Sequence, residues 1–280
     1  MKIAITGSDG FVGSHLISLL KHHTEVEIVC LDLSNGIDVC DWDQIKHIQV
    51  DLVIHLANKS YVPDSYQDPT SFYKVNVMGT LNMLELARMN QARFIYFSSY
   101  VYGHPQYLPI DEQHPIAAFN PYATTKVMCE EMCRGYARDF KVPVAIFRPF
   151  NIYGKGQNLL FLLPLMANQI KEEAKIQIRD DRPKRDYIHI SDVVRAVEFM
   201  SFCEWPSLFE IYNLGTGISY SVKEVAQMLI QYSGNSIEYL ASGEQRPNEV
   251  LDTIANINKL ENLGWKPEVS IEEGLKDLLR

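Results

Sequence analysis

The sequence is short of the features that mark several common protein classes. Its 280 residues hold five cysteines, an odd number, and none sits in a Cys-x-x-Cys pair. Neither a disulfide framework nor a zinc ligand set is expected. Positive charge is scarce: 26 lysines and arginines stand against 35 aspartates and glutamates, a net charge of −9. Binding a nucleic-acid backbone needs a basic surface, so nucleic acid is excluded as the main partner. An anionic ligand held by a few local arginines is not excluded. No apolar run is long enough to span a membrane, and no low-complexity segment or internal repeat is present. Residues Lys2–Thr6 read as a strand and not as a leader. The expectation is therefore a soluble, cytoplasmic protein with no membrane partner.

What is present is a β–α rhythm. With 46% hydrophobic residues, the chain can bury a full core. Strands are expected at Lys2–Thr6, Glu25–Asp32, Asp51–Ala57, Arg93–Ser98 and Val142–Arg148. Helices are expected between them at Val12–His23, Trp42–Ile48, Thr70–Asn90 and Tyr122–Phe140. Alternation of this kind predicts an α/β fold with a doubly wound parallel sheet. After Pro149 the rhythm loosens, with helices expected at Leu159–Lys175, Ser191–Phe202 and Ser221–Tyr232 and a strand at Glu210–Leu214. Two short helices are expected in the tail. Ser221 and Glu224 have capping-box spacing. No linker divides the chain, so a second, smaller part is expected to interleave with the first.

Between the first strand and first helix lies Thr6-Gly-Ser-Asp-Gly-Phe-Val-Gly13. Gly7 allows a tight turn, Gly10 lets backbone N–H groups approach a pyrophosphate at the helix N-terminus, and Gly13 allows close helix–strand packing. A glycine triplet alone is weak evidence, but a strand-to-helix setting gives it force. Asp32 closes the second strand. A carboxylate there accepts both ribose hydroxyls of an adenosine and repels a 2′-phosphate, which favours NAD over NADP. Asp38 and Val39 follow as adenine contacts.

Tyr122 and Lys126 stand four residues apart, on one helix face. Such spacing alone marks a surface pair more often than a site. A phenol working near neutral pH needs its pKa lowered by about 3 units, and a Lys126 ammonium in a dry site is expected to supply that. Ser98 and Ser99 end the fourth strand, at the carboxyl edge where such sheets bind ligands.

Together these stretches resemble the extended short-chain dehydrogenase/reductase superfamily, in its NAD-dependent nucleotide-sugar epimerase/dehydratase branch. The likeness covers nearly the whole chain. It rests on Thr6–Gly13, His55–Ala57, Asn76–Asn82, Ser98–Gly103, Pro121–Lys126, Arg148–Gly154, Arg185–Asp192, Tyr212–Gly215 and Leu263–Pro267. It implies a Rossmann-type NAD-binding domain over 1–150, with 186–217 returning to it. Residues 151–280 would mainly form a nucleotide-sugar domain. It implies a catalytic trio of a serine with Tyr122 and Lys126. Counting back from Val101–Gly103 selects Ser98, and counting forward along the strand could select Ser99. Ser98 is expected to be catalytic and Ser99 to touch substrate. Gly7, Gly10, Phe11, Val12, Gly13, Asp32, Asp38, Val39, Leu56, Ala57, Asn76 and Lys126 are expected on the cofactor side, and NADP remains possible. Asn151, Arg185 and Arg246 are expected to face the nucleotide diphosphate, where guanidinium forks suit phosphate oxygens. The helices Thr70–Asn90 and Tyr122–Phe140 resemble the pair that builds a four-helix homodimer in this family, with Met128, Met132, Cys129 and Cys133 as an apolar face. For the cysteines, buried packing explains the spacing equally well.

The resemblance leaves three reactions. A 4,6-dehydratase carries an Asp-Glu pair after its catalytic threonine; Ser99 and Tyr100 stand there, so this reading is demoted. A 4-epimerase keeps its NAD, in keeping with Asp32. A 4-ketoreductase suits the short chain. The epimerase is the preferred expectation, the ketoreductase the alternative. A non-catalytic NAD-binding relative is disfavoured, because both Tyr122 and Lys126 are present.

Overall fold

The computed structural model describes residues 1–245 and 249–280, so the expected phosphate ligand Arg246 lies outside the described residues. Eleven strands are described: β1 (Lys2–Thr6), β2 (Glu27–Leu31), β3 (Leu52–His55), β4 (Arg93–Phe97), β5 (Val144–Pro149), β6 (Asn151–Tyr153), β7 (Lys175–Ile178), β8 (Lys184–His189), β9 (Phe209–Leu214), β10 (Ser219–Ser221) and β11 (Glu238–Ala241). They fall into two compact units. One comprises residues 1–103, 115–149 and 194–212, the other 104–114, 150–193 and 213–280.

The first unit is built on a six-stranded sheet of order β2-β1-β3-β4-β5-β9. The pairs β1–β2, β1–β3, β3–β4 and β4–β5 are parallel. The sequence dictates this burial: Leu52-Val-Ile-His55 and Arg93-Phe-Ile-Tyr-Phe97 are near-continuous apolar runs, buried almost throughout. Runs of that kind suit a parallel sheet covered on both faces. The chain leaves β1 for β2 on one side and returns to β3 on the other. That reversal opens a crevice at the carboxyl ends of β1 and β3.

The helix Pro121–Phe140 has Pro121 at its first position, and Asn120 Oδ1 accepts from Ala123 N at 2.7 Å. A cap of this type contributes about 1 kcal/mol. Cys129 and Cys133 are fully buried in the core of this unit, with Met132 packed against it. They supply no outer apolar face, because the helix turns them toward the sheet. The expected helix Thr70–Asn90 is broken up: an α-turn at Pro69–Phe72, a π-helical segment at Tyr73–Met78, then an α-helix at Gly79–Asn90. Propensity does not signal a π turn, so the sequence reading missed it.

The second unit contains the three-stranded sheet β10-β8-β6 and the parallel pair β11-β7. Of these five strands none was expected, because short strands without alternation give little signal. The helix Val222–Ser233 starts at the foreseen capping box, with Glu224 N donating to Ser221 Oγ at 3.1 Å. Ser270 and Glu273 repeat the device at Ile271–Leu279. Asp186 is buried on β8 and accepts from Thr216 N and Oγ1, both at 2.8 Å, from Gly217 N at 2.9 Å and from Ala255 N at 3.1 Å. Asp192 accepts from Glu268 N and Val269 N at 3.0 Å each. Both aspartates of Arg185–Asp192 therefore tie the unit together. Among the described residues, no helix is long and apolar enough to cross a membrane.

Candidate active site

At the crevice, Gly7 takes φ +64, and an added Cβ would lie 2.9 Å from Ala57 N. A Cβ on Gly13 would lie 2.2 Å from Gly7 O, so the helix packs directly on the turn. Gly10 is the N-cap of helix Phe11–Leu20 and offers no side-chain cap. The first N–H groups of that helix, at Phe11 and Val12, thus lack the usual side-chain acceptor, which suits an anionic ligand. Asp32 follows β2 and caps the turn Leu33–Asn35. It accepts from Ser34 N and Oγ at 3.0 Å each and from Asp9 N at 3.2 Å. Burial works against its charge, but these donors more than compensate and hold its carboxyl below the usual range. Ser34 Oγ also donates to Asp9, so two carboxylates bracket one serine. These residues fit a dinucleotide. Asp38 accepts from Cys40 N at 2.8 Å, while Val39 is buried in the core.

Leu56 and Ala57 N–H both donate to Thr6 Oγ1, at 3.0 and 2.9 Å. Thr6 Oγ1 bonds His55 Nδ1 at 2.7 Å, and His55 Nε2 bonds Thr80 Oγ1 at 3.0 Å. Thr80 in turn donates to Asn76 O at 2.6 Å. This chain fixes a neutral imidazole with its proton on Nε2. Burial, aided by the Lys126 charge, pushes the His55 pKa down to about 3. Asn76 is buried in the π-helical segment. Its amide accepts from Lys59 N at 2.8 Å and donates to Lys59 O at 3.1 Å and Thr125 Oγ1 at 3.0 Å. It holds the loop after β3 against the helix that carries Tyr122.

Tyr122 lies in the first turn of its helix and keeps some accessible surface. Lys126 is buried, with Nζ 5.8 Å from the Tyr122 ring centroid and 5.0 Å from that of Tyr96. Nζ donates to Phe97 O at 2.7 Å. The two serines have different partners. Ser98 N still bonds in the β4–β5 ladder, to Phe147 O at 2.8 Å, and its hydroxyl donates to buried Glu130. The hydroxyl that bonds Tyr122 is that of Ser99, one residue past the ladder.

The expected lowering of the Tyr122 pKa is also corrected. Burial raises it, and only the Ser99 hydrogen bond opposes. Lys126 lies over the ring face, and burial brings its own pKa down to about 8. In this arrangement Tyr122 is a protonated phenol.

Sequence reasoning missed Glu130 and Arg148. Arg148 donates to Glu130 through Nε at 3.0 Å and Nη2 at 2.6 Å, and through Nη1 to Tyr102 Oη at 3.1 Å. Glu130 continues the four-residue spacing of Tyr122 and Lys126, and that signal could have found it. In the second unit, Asn151 Nδ2 donates to Asp186 O at 3.3 Å. Arg185 donates to Val250 O at 2.6 Å, to Lys184 O at 2.8 Å and to Glu249. Asn151 and Arg185 thus share the sheet β10-β8-β6.

Residues 3–215 match the model of the NAD dependent epimerase/dehydratase family. The chain belongs to that family. Among its members, a putative UDP-glucose 4-epimerase of Methanocaldococcus jannaschii is 33% identical, over 98% of this chain and 96% of the relative. The GDP-6-deoxy-D-mannose reductase of Pseudomonas aeruginosa is 30% identical, over 99% and 96%. A solved UDP-glucose 4-epimerase of Thermotoga maritima with UDP-glucose superposes with a TM-score of 0.92 at 25% identity, over 100% and 97% of the two chains. The chain is thus a member of a family of NAD-dependent nucleotide-sugar epimerases, dehydratases and reductases.

Proposed function

We propose that the chain is a sugar-nucleotide 4-epimerase that works through NAD, with Tyr122 as acid and base at a hexose oxygen. The observation that carries the chemistry is the Tyr122 phenol, with the Ser99 hydroxyl bonded to it and Lys126 against its ring. The observation that favours epimerase over ketoreductase is the Asp9–Ser34–Asp32 bracket. Two carboxylates there oppose the 2′-phosphate of NADP, whereas a similar protein of Pseudomonas aeruginosa, RMD, was solved with NADPH. An epimerase returns its hydride and has no need of an exchangeable NADPH.

When bound, NAD takes a hydride from a sugar carbon or returns one to it. Gly7, Gly13 and the open N-terminus of helix Phe11–Leu20 would seat its pyrophosphate, and Asp32 its adenosine ribose. Ser99 orients the sugar oxygen. Tyr122, protonated as found, gives its proton to a keto oxygen, and in the opposite direction takes the hydroxyl proton. The base direction draws on the Lys126 charge, present below its midpoint of about 8. Asn151 and Arg185 are the polar groups of the second unit assigned to the nucleotide diphosphate. A homodimer through helices Gly79–Asn90 and Pro121–Phe140 belongs to the same reading. Met89, Met128 and Phe140 are exposed on them, and sedimentation tests it.

The experiment is incubation of the purified chain with UDP-glucose, UDP-N-acetylglucosamine and a GDP-linked 4-keto-6-deoxysugar, with and without NADH and NADPH. Isomerisation without net change in nicotinamide absorbance is the expected result. Stoichiometric consumption of NADPH with the keto sugar would identify the ketoreductase instead.

A further inference from the structure

Tyr122, Lys126 and Glu130 stand at successive four-residue steps, on one face of their helix. The first two belong to the acid–base site. Glu130 does not touch it, yet it is 1% exposed and carries a full ion pair with Arg148, also 1% exposed. Its carboxylate accepts both forks of Arg148 and the Ser98 hydroxyl. The Arg148 guanidinium also lies 5.0 Å from the Tyr102 ring centroid. The ends of β4 and β5 are thereby fastened to one point on the helix. Burying two such charges costs several kcal/mol per ion, and apolar residues of equal volume are often as stable. Stability alone therefore does not account for the pair.

We propose that Glu130 is a positioning residue: gripped by Arg148, it holds the Ser98 hydroxyl and so sets the backbone from which Ser99 faces Tyr122. This rests on the reading of Tyr122 and Lys126 as an acid–base pair. Its charge has a second effect. Lys126 faces Tyr96 from β4, His55 from β3, and Tyr122, Cys129, Glu130 and Cys133 on its own helix. His55 is neutral, and burial keeps the phenol of Tyr96 and both thiols protonated. Glu130 is thus the carboxylate in this set, and it supports the Lys126 charge against burial.

The test uses the full chain with 15N-labelled lysine and 13C-labelled tyrosine, the Lys126 and Tyr122 signals being assigned with Lys126→Met and Tyr122→Phe. Glu130→Gln is expected to lower the Lys126 titration midpoint below about 8. Ser98→Ala keeps the ion pair. It is expected to leave that midpoint in place and to displace the Tyr122 ring signal as Ser99→Ala does. A merely structural Glu130 would produce neither change. The proposal is overturned by an unmoved Lys126 midpoint in folded Glu130→Gln, or by a Tyr122 signal that ignores Ser98→Ala. If Glu130→Gln does not fold, the two serine variants decide alone. Full turnover by Tyr122→Phe would sink the acid–base reading and leave these spectra as they are, so the two failures are distinguishable.

Discussion

At the glycine turn the shape is held largely by neutral groups, namely backbone N–H donors, the Thr6 and Thr80 hydroxyls and an uncharged His55, with the Asp32 carboxylate accepting from Asp9 N. At the Tyr122 end it is held by charge: the Glu130–Arg148 pair and a buried ammonium. The difference follows from what each end has to do. A turn that receives an anion must leave its own N–H groups uncommitted. A proton-transfer site needs local charge to set which groups hold protons. The two ends should therefore fail differently when altered.

The largest effect is expected at the charged end. Tyr122→Phe should cut turnover by about 10²–10⁴-fold while NAD⁺ affinity, measured by calorimetry, stays within a few-fold. A comparable loss of NAD⁺ binding would show that the two ends are not separable. Next, Arg148→Met leaves Glu130 buried without its partner and should lower unfolding stability by about 3–5 kcal/mol in urea titrations.

Lys126→Met should act in the opposite sense. The folded ammonium titrates near 8 against 10.5 for the free side chain. Below about pH 8 both folded and unfolded chains carry the proton, and the burial penalty is complete. As pH rises toward 10.5 the folded chain sheds its proton first, and the penalty fades. The variant should thus gain at most about 3 kcal/mol at pH 7, a gain that shrinks through this window while activity is lost. A variant no more stable than the parent at pH 7 would contradict a strained ammonium. The smallest effect belongs to the glycine-turn end: Asp32→Ala should weaken NAD⁺ binding by about 1.5–3 kcal/mol and narrow its preference over NADP⁺. An unchanged ratio would remove Asp32 as the ribose ligand.

The same contrast separates what could be read in advance from what could not. The glycine turn is local. Gly7, Gly10 and Gly13 sit within seven residues, and strand and helix follow from apolar periodicity, so the sheet was legible. The charged cluster joins residues 98 and 148 to the helical pair 126 and 130, a meeting made by sheet order, and its protonation depends on burial. The direction of the Tyr122 shift was for that reason misjudged. Ser98 and Ser99 could not be told apart, because the end of the ladder decides which one meets Glu130 and which meets Tyr122. In the second unit Asp186 ties Thr216, Gly217 and Ala255 to β8, long-range contacts that no periodicity records.

The π-helical segment Tyr73–Met78 has a consequence for alignment. In an α-helix, side chains four residues apart drift about 40° around the axis at each step. Looser winding cancels that drift. Phe72, Asn76 and Thr80 can then stand in one straight column. Phe72 sets its ring edge against Tyr122 at 6.5 Å between centroids, Asn76 bonds Thr125, and Thr80 bonds His55. Removing a single residue other than Asn76 between 73 and 78 would tighten the winding and twist that column out of true, detuning both ends of the site without touching any residue that binds or reacts.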